Sequence, residues 1–214
     1  MICYLCEKEF LDGEDVNDDH VPQSGFFLTR NPPGVSKLKT HKECNSEFQF
    51  DEEYVISLIR ATSTWNPTGE RIWKTRGLKS FTQPGKKRFL ERIVRETRPA
   101  REILNNVPKL MKNFPTTKVD LSRLVRVLEK IVRGLYFSEF NKTLESDRFE
   151  IDHNEFLAKQ GSWNITGTGF VSVGNPGKEE FKYLRRFISD NLEYNLFFYN
   201  VHYFRLLYAR RVIT

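Results

Sequence analysis

Disulfide-forming and membrane-spanning features are scarce in this chain. It has only three cysteines among its 214 residues, and an odd number of this size does not build a disulfide framework. No apolar run approaches the roughly 18–20 residues that cross a bilayer. The N-terminal segment also has neither the basic nor the apolar region of a signal peptide. We therefore expect a cytoplasmic protein with no membrane partner.

Acidic and basic residues are unevenly distributed along the chain. Residues 1–60 contain 6 Lys and Arg against 12 Asp and Glu, whereas residues 71–133 contain 18 against 5. A basic block of this size attracts a polyanion, and nucleic acid is the commonest one; the alternative is a pair of helices with well-solvated basic faces. The leading candidates for phosphate contacts are Lys86, Lys87, Arg88, Arg92, Arg95, Arg98 and Arg101.

The three cysteines all lie in the first 45 residues. Cys3-x-x-Cys6 and His41-x-x-Cys44 are two pairs of soft metal ligands, each at the spacing of a zinc knuckle. Together they complete a closed four-ligand site of the structural type. The 34 residues between Cys6 and His41 leave room for an inserted hairpin. The alternative is a set of buried thiols beside a surface histidine, but two paired knuckles favour structural Zn²⁺.

An acid–base pair, Asp19-His20, lies between the two knuckles. Histidine is the usual general base near neutral pH, which makes His20 the natural candidate. Asp19 is a hard oxygen ligand suited to Mg²⁺ or Mn²⁺, and Asn45, directly after Cys44, supplies a neutral oxygen. We expect Asp19 and Asn45 to hold one cation beside the leaving oxygen of a phosphodiester, while His20 activates the attacking water.

This arrangement resembles the HNH endonuclease family over roughly residues 1–60. The matching segments are Cys3-x-x-Cys6, Asp19-His20-Val21-Pro22 and His41-x-x-Cys44-Asn45. The resemblance implies a ββα-metal core, with His20 as general base and with Asp19 and Asn45 as ligands of the catalytic cation.

Two positions depart from the family pattern. His41 replaces the cysteine that usually opens the second knuckle, and Ser36-Lys37 stands before Leu38 where the family has its central asparagine. That asparagine helps to orient the base, so its loss puts catalytic efficiency in question. Asn31 lies nearby in the loop and is a weaker candidate for the same role.

The expected fold class is α+β, with an HNH module at 1–62 and a basic, helix-rich region at 70–214 that ends in a small antiparallel β element. The segment Thr62–Gly69 reads as the linker between them. In the module we expect loop at 11–18, a strand around Leu38 that pairs with the strand carrying Asp19, and a helix from His41 or Cys44.

In the second region the strongest helix prediction runs from an N-cap at Asp120 to Phe140. Its apolar stripe leaves Arg123, Arg126, Lys130 and Arg133 largely on the other face. A further helix is expected at Glu179–Ser189. Strands are expected at Gly169–Val173, Leu196–Tyr199 and Tyr203–Tyr208, the last two forming a hairpin.

The sequence therefore predicts a metal-dependent DNA endonuclease that nicks with weak sequence preference, with RNA left open as a substrate. A homodimer or a partner protein would allow double-strand breaks, and a role in antiviral defence is compatible by association only. Two alternatives remain. One is a zinc-dependent nucleic-acid-binding protein with a weak or inactive centre, and the other is an interaction subunit.

Overall fold

The computed structural model describes residues 1–64, 66–80, 91, 95, 98–99, 115–116, 119–144, 149–152, 171–174, 177, 179–189 and 191–209. Over these residues the protein is a mixed α+β structure with an antiparallel sheet at its C-terminal end, as the sequence predicts. No helix in this part of the chain combines the length and apolar character needed for a membrane crossing.

A two-stranded antiparallel sheet forms the start of the chain. β1 (Val16–Val21) pairs with β2 (Ser36–His41), and Asp19 lies opposite Leu38 as expected. β1 begins within the stretch expected to be loop. Its burial alternates, so that Asp19 points inward while His20 is partly exposed on the other face. The short helix α1 (Lys42–Ser46) follows β2 directly.

Helical segments lie in the connection between β1 and β2 and again after α1. A 3₁₀ turn covers Ser24–Phe26, and α2 covers Gln49–Thr62 with Asp51 and Glu52 in its first turn. α3 (Pro67–Ile72) continues through a π-helical turn (Trp73–Gly77) into α4 (Leu78–Ser80).

The expected linker at Thr62–Gly69 is therefore partly helical. The side chain of Asn66 accepts hydrogen bonds from the backbone of Thr68 and Gly69, and Pro67 follows at the first helical position. The division into 1–62 and 70–214 stays a prediction.

The long helix α5 (Leu121–Phe140) confirms the strongest helix prediction. Asp120 caps it by accepting a hydrogen bond from the backbone N–H of Arg123, and Asn141 ends it in a left-handed conformation with φ of 50°. One position differs from expectation, because Lys130 is buried rather than on the solvent face. At Gly134, on the same side of α5, an added Cβ would lie 2.6 Å from the side chain of Val21. The missing side chain thus allows α5 to approach β1 closely.

A five-stranded antiparallel sheet forms the C-terminal end. Its strands are β5 (Phe149–Asp152), β6 (Val171–Gly174), β7 (Phe181–Ile188), β8 (Asn191–Phe198) and β9 (His202–Ala209). They lie in the order β5-β9-β8-β7-β6. The predicted strand near 169–173 and the predicted hairpin are confirmed. A separate two-stranded pair is formed by β3 (Arg98–Pro99) and β4 (Pro115–Thr116).

The predicted helix at Glu179–Ser189 is wrong. Residues 181–188 are β7, which pairs along its whole length with β8. Phe181 and Tyr183 alternate toward the interior, and their ring centroids lie 5.9 Å apart. Pairing with the neighbouring strand β8 and aromatic packing therefore decide the conformation over local helical preference.

The buried residues form one continuous apolar core. It runs from the first knuckle through α2 and α5 to the C-terminal sheet. Phe26 of the 3₁₀ turn lies 4.7 Å from Phe198 of β8, measured between ring centroids, and its carbonyl accepts a 2.9 Å hydrogen bond from Tyr199. The N-terminal sheet is thus held against both α5 and the distant sheet, which fixes the orientation of its side chains.

Candidate functional site

The four predicted zinc ligands meet at one place. The Sγ atoms of Cys3, Cys6 and Cys44 and a ring nitrogen of His41 all lie within 4.8 Å of one another. In a tetrahedral site with Zn–S bonds of about 2.3 Å, ligand atoms lie about 3.5–3.8 Å apart. The cluster can therefore hold a metal ion such as zinc with small side-chain adjustments.

Backbone hydrogen bonds shape the first knuckle. Cys3 donates its N–H to the carbonyl of Lys8 at 2.9 Å, and Glu7 donates to the carbonyl of Cys3 at 2.8 Å. Glu7 adopts a left-handed conformation with φ of 63°. These bonds close a tight turn that places both thiols of the pair on the same side.

His41 is fixed by a second contact on the far side of its ring. Its Nδ1 lies 3.2 Å from Cys6 Sγ, while its Nε2 lies 3.0 Å from Glu14 Oε2. The same carboxylate oxygen accepts a 2.8 Å hydrogen bond from the backbone of Leu11, which lowers the pKa of Glu14. A carboxylate that holds the remote nitrogen of a ligating histidine is the usual support of a zinc site. The surroundings of His41 thus fit a metal ligand.

The ionisation of the clustered thiols depends on a nearby positive charge. Burial, the hydrogen bond with Cys6 and the negative charge of Cys3 raise the pKa of Cys44 to about 12. Three neighbouring thiolates do not coexist at neutral pH without a cation to offset their charges. Bound zinc would supply that charge from Cys3, Cys6, His41 and Cys44, and its part is to hold the knuckles together.

Asp19 and Asn45 also converge, but around a side chain that the sequence did not point to. Lys130 of α5 places its Nζ 2.9 Å from Asp19 Oδ2 and 2.7 Å from Asn45 Oδ1. Its third close partner is Glu52 Oε1 of α2. The side chain of Lys130 is 0% exposed. The three oxygen atoms come from β1, α1 and α2, so the ammonium joins the whole N-terminal module to α5.

Tyr4 and Gln23 donate further hydrogen bonds within this pocket. Tyr4 donates its hydroxyl to Asp19 Oδ2 at 2.5 Å. Burial and the adjacent Asp19 raise the pKa of Tyr4 well above its usual value, so the phenol keeps its proton. Gln23 donates to Glu52 Oε1 at 2.9 Å. Burial raises the pKa of Glu52, although the charge of Lys130 acts in the opposite direction.

The pocket in this form does not fit the catalytic Mg²⁺ or Mn²⁺ that the family resemblance implies. Asp19 and Asn45 are the two expected ligands of that ion, and both already bind the ammonium of Lys130. A divalent ion at about 2.0–2.2 Å from the same two oxygens would overlap Nζ.

His20, the predicted base, lies on the opposite face of β1. Its Nε2 lies 3.3 Å from the side-chain oxygen of Asn31. A hydrogen bond to this amide oxygen requires the proton on Nε2, and that tautomer leaves on Nδ1 the lone pair that a base requires. Asn31 therefore contacts the imidazole ring of His20.

A basic side chain faces His20 across the hairpin. Lys37 of β2 is its direct cross-strand partner, and side chains in such pairs have Cβ atoms about 4.5–5.5 Å apart. Lys37 is exposed. Next to this pair, Asp18 and Lys39 form an exposed ion pair of 2.7 Å. The outer face of the hairpin thus presents an imidazole with a cation beside it to solvent.

Few of the candidate phosphate contacts can be placed. Arg95 is exposed, and Arg98 belongs to β3, where it pairs with Thr116. Lys86, Lys87, Arg88, Arg92 and Arg101 lie outside the described residues.

The residues that sequence reasoning missed are Tyr4, Glu52 and Lys130. One signal was present for Lys130, because it lies three positions after Val127 and four before Gly134, on one face of a helix. A lysine between a β-branched residue and a glycine on that face indicates a buried charge as readily as an exposed one. The carboxylates that pair with it are remote in sequence.

No protein-family model, curated protein or solved structure matches this chain. The function of the site therefore has to be inferred from its geometry.

Proposed function

We propose that this protein is a zinc-framed endonuclease that hydrolyses phosphodiester bonds of nucleic acid, with DNA as its main substrate and His20 as its general base. The observation that carries the proposal is the placement of His20. It lies on a hairpin that is clamped at His41 by the metal-ligand cluster, with Asn31 on one ring nitrogen and Lys37 across the strand.

The chemistry follows from these neighbours. Nδ1 of His20 takes a proton from water, and the resulting hydroxide attacks phosphorus. Lys37 contacts a non-bridging oxygen and offsets the charge that builds up there. The bond from phosphorus to the 3′-oxygen breaks, and that oxygen takes a proton from solvent. Asn31 holds the imidazole so that its lone pair faces the substrate.

Substrate affinity must come from elsewhere in the chain. The first 60 residues carry twice as many acidic as basic residues, 12 against 6, and they repel a polyanion. The basic block at 71–133 carries 18 Lys and Arg against 5 Asp and Glu and supplies phosphate contacts with counterion release. Such contacts carry no sequence information, so weak sequence preference is expected.

A plasmid assay tests the proposal. Zinc-loaded protein is incubated with supercoiled plasmid, beside His20→Ala and the control Lys39→Ala, which removes a neighbouring exposed lysine of β2. We expect nicked circles with the wild type and the control, and a rate about 10²- to 10⁴-fold lower for His20→Ala. Equal rates for His20→Ala and wild type would show that another residue is the base.

A second candidate function is supported by the pocket around Lys130. With Asp19 and Asn45 both bound to the ammonium, the centre resembles one that no longer cuts, and the chain would then be a zinc-dependent nucleic-acid-binding protein. Retention of plasmid in a gel-shift assay, with no nicking in any lane, would favour this function over hydrolysis. Loss of that retention in roughly 0.5 M salt would identify phosphate contacts, because binding that depends on counterion release weakens steeply as salt increases.

A further inference from the structure

The ammonium of Lys130 has the coordination of a bound cation. It has three N–H donors, and three oxygen atoms receive them: Asp19 Oδ2, Asn45 Oδ1 and Glu52 Oε1. These are two carboxylates and one amide, the hard oxygen set that a divalent ion prefers. The ring of Phe48 adds a cation–π contact, with its centroid 5.1 Å from Nζ. Lys130 therefore has no remaining donor for a substrate.

The position of Lys130 is fixed by the packing of α5. Gly134, one turn further along the helix, lies directly against Val21 and Tyr4. One turn before Lys130, Arg126 forms a 2.8 Å ion pair with Asp51 of α2, and its Cζ lies 4.5 Å from the ring centroid of Phe48. Contacts on both sides thus hold the helix in the register that directs Lys130 into the pocket.

Burial makes exchange for a hydrated ion unfavourable. The side chains of Lys130 and Asp19 are 0% and 5% exposed, and that of Glu52 is 16% exposed. Removing the ammonium would leave two buried carboxylates without a positive partner, which is strongly unfavourable. Mg²⁺ also gives up its water reluctantly and usually keeps several waters when bound. A divalent ion would need both the displacement of Lys130 and room for those waters.

We infer that Lys130 is a resident cation that takes the place of the divalent ion at Asp19 and Asn45. The wild-type pocket then binds no Mg²⁺ or Mn²⁺, and removal of the ammonium turns Asp19, Asn45 and Glu52 into a divalent-ion site. The inference depends on the contacts of Lys130 and not on whether the chain cuts nucleic acid, so the two proposals can fail separately.

Binding of Mn²⁺ to the full-length, zinc-loaded protein tests this inference. Free Mn²⁺ is followed by electron paramagnetic resonance during titration of the wild type, Lys130→Met, and the double variant Lys130→Met/Asp19→Asn. Lys42→Met is the matched control, because it removes an exposed lysine that pairs with Asp15. Zinc content and circular dichroism establish that each variant is folded.

We expect no Mn²⁺ bound to the wild type or to Lys42→Met at millimolar concentrations. Lys130→Met should bind one Mn²⁺, and the double variant should lose it. Two results would overturn the inference: one Mn²⁺ bound by the wild type and lost in Asn45→Ala, or a folded Lys130→Met that binds none. If Lys130→Met does not fold, the wild-type and Asn45→Ala titrations still decide the matter. Failure of plasmid nicking would instead remove the proposed hydrolysis and leave this result unchanged.

Discussion

Two cation positions in the N-terminal part of this protein differ in how they are completed. The cluster of Cys3, Cys6, His41 and Cys44 draws all its ligands from the first 44 residues and contains no basic group apart from its histidine. The pocket of Asp19, Asn45 and Glu52 is completed by Lys130, which lies 85 residues after Asn45 in the chain. The first position can hold an external ion, whereas the second is completed by the charge of Lys130.

The difference teaches that ligand types and spacing identify a cation position but not its occupant. Both sets of ligands fit an ion by chemistry. What separates them is a remote helix, because α5 places Lys130 inside one pocket, whereas its Arg133 contacts the carbonyl of Leu5 and the carboxylate of Glu7 beside the other. A motif of metal ligands therefore requires a check of every element that packs on it.

The largest expected effect follows from removing a ligand of the first position. Cys44→Ala should reduce zinc content from one ion per chain to near zero, because it removes one of four ligands of a site whose zinc-binding free energy is about 10–16 kcal/mol in comparable sites. Much of that free energy stabilises the fold, so the thermal unfolding midpoint should fall sharply. Elemental analysis and circular dichroism measure both.

Lys42→Ala is the control for this substitution, because it lies in the same helix and only breaks an exposed ion pair with Asp15. Its effect should stay within about 1 kcal/mol. Full zinc retention by Cys44→Ala would mean that the four side chains do not form one metal site.

The next largest effect concerns the second position. Lys130→Met, measured without divalent ions, should reduce the free energy of unfolding by about 3–5 kcal/mol, because it leaves Asp19 and Glu52 buried without their positive partner. Adding Asp19→Asn in the same chain should recover part of that loss. Urea unfolding monitored by fluorescence gives both values.

Lys39→Met provides the contrast, because its ion pair with Asp18 is about half exposed on both sides, at 53% and 48%. We expect a loss of no more than about 1 kcal/mol there. Similar losses for Lys130→Met and Lys39→Met would contradict a buried, charge-balancing role for Lys130.

A smaller effect is expected at the support of the zinc ligand His41. Glu14→Gln should weaken zinc binding about 10- to 100-fold while the fold persists, since it weakens the hydrogen bond that orients the ring. Competition with a chromophoric chelator measures the affinity. Asp15→Asn is the neighbouring control and should leave the affinity unchanged, because Asp15 pairs only with Lys42 among the contacts described. A zinc affinity in Glu14→Gln equal to that of the wild type would remove Glu14 from the site.

The smallest effect concerns the base, on the exposed face between the two positions. Asn31→Ala should lower kcat for nicking about threefold to tenfold with little change in KM, the equivalent of one neutral hydrogen bond. Asn31→Asp keeps an oxygen acceptor and should stay closer to the wild type. An unchanged kcat in Asn31→Ala would show that the contact with His20 does not position the base.

Much of the N-terminal site could be predicted because its signals are local. Two x-x spacings bring four metal ligands together, and the pairing of β1 with β2 follows from the position of Leu38 opposite Asp19. The N-cap at Asp120 likewise marks the start of α5. In each case the deciding contacts lie within a turn, a hairpin or one helical end.

The remaining features depend on contacts outside their own strand or helix. Phe181, Leu184 and Ile188 fit a helical period, while Phe181 and Tyr183 fit a strand, and only pairing with β8 decides between them. The burial of Lys130 is similar, because its three oxygen partners belong to three other elements. Local pattern leaves both cases open, and tertiary packing decides them.

Anomalous diffraction from crystals of the zinc-loaded wild type soaked in Mn²⁺ compares the two positions most directly. The account predicts a zinc peak among Cys3, Cys6, His41 and Cys44, with the ammonium of Lys130 between Asp19 and Asn45 and no manganese peak there. A manganese peak bound by Asp19 and Asn45, with Lys130 displaced, would contradict it.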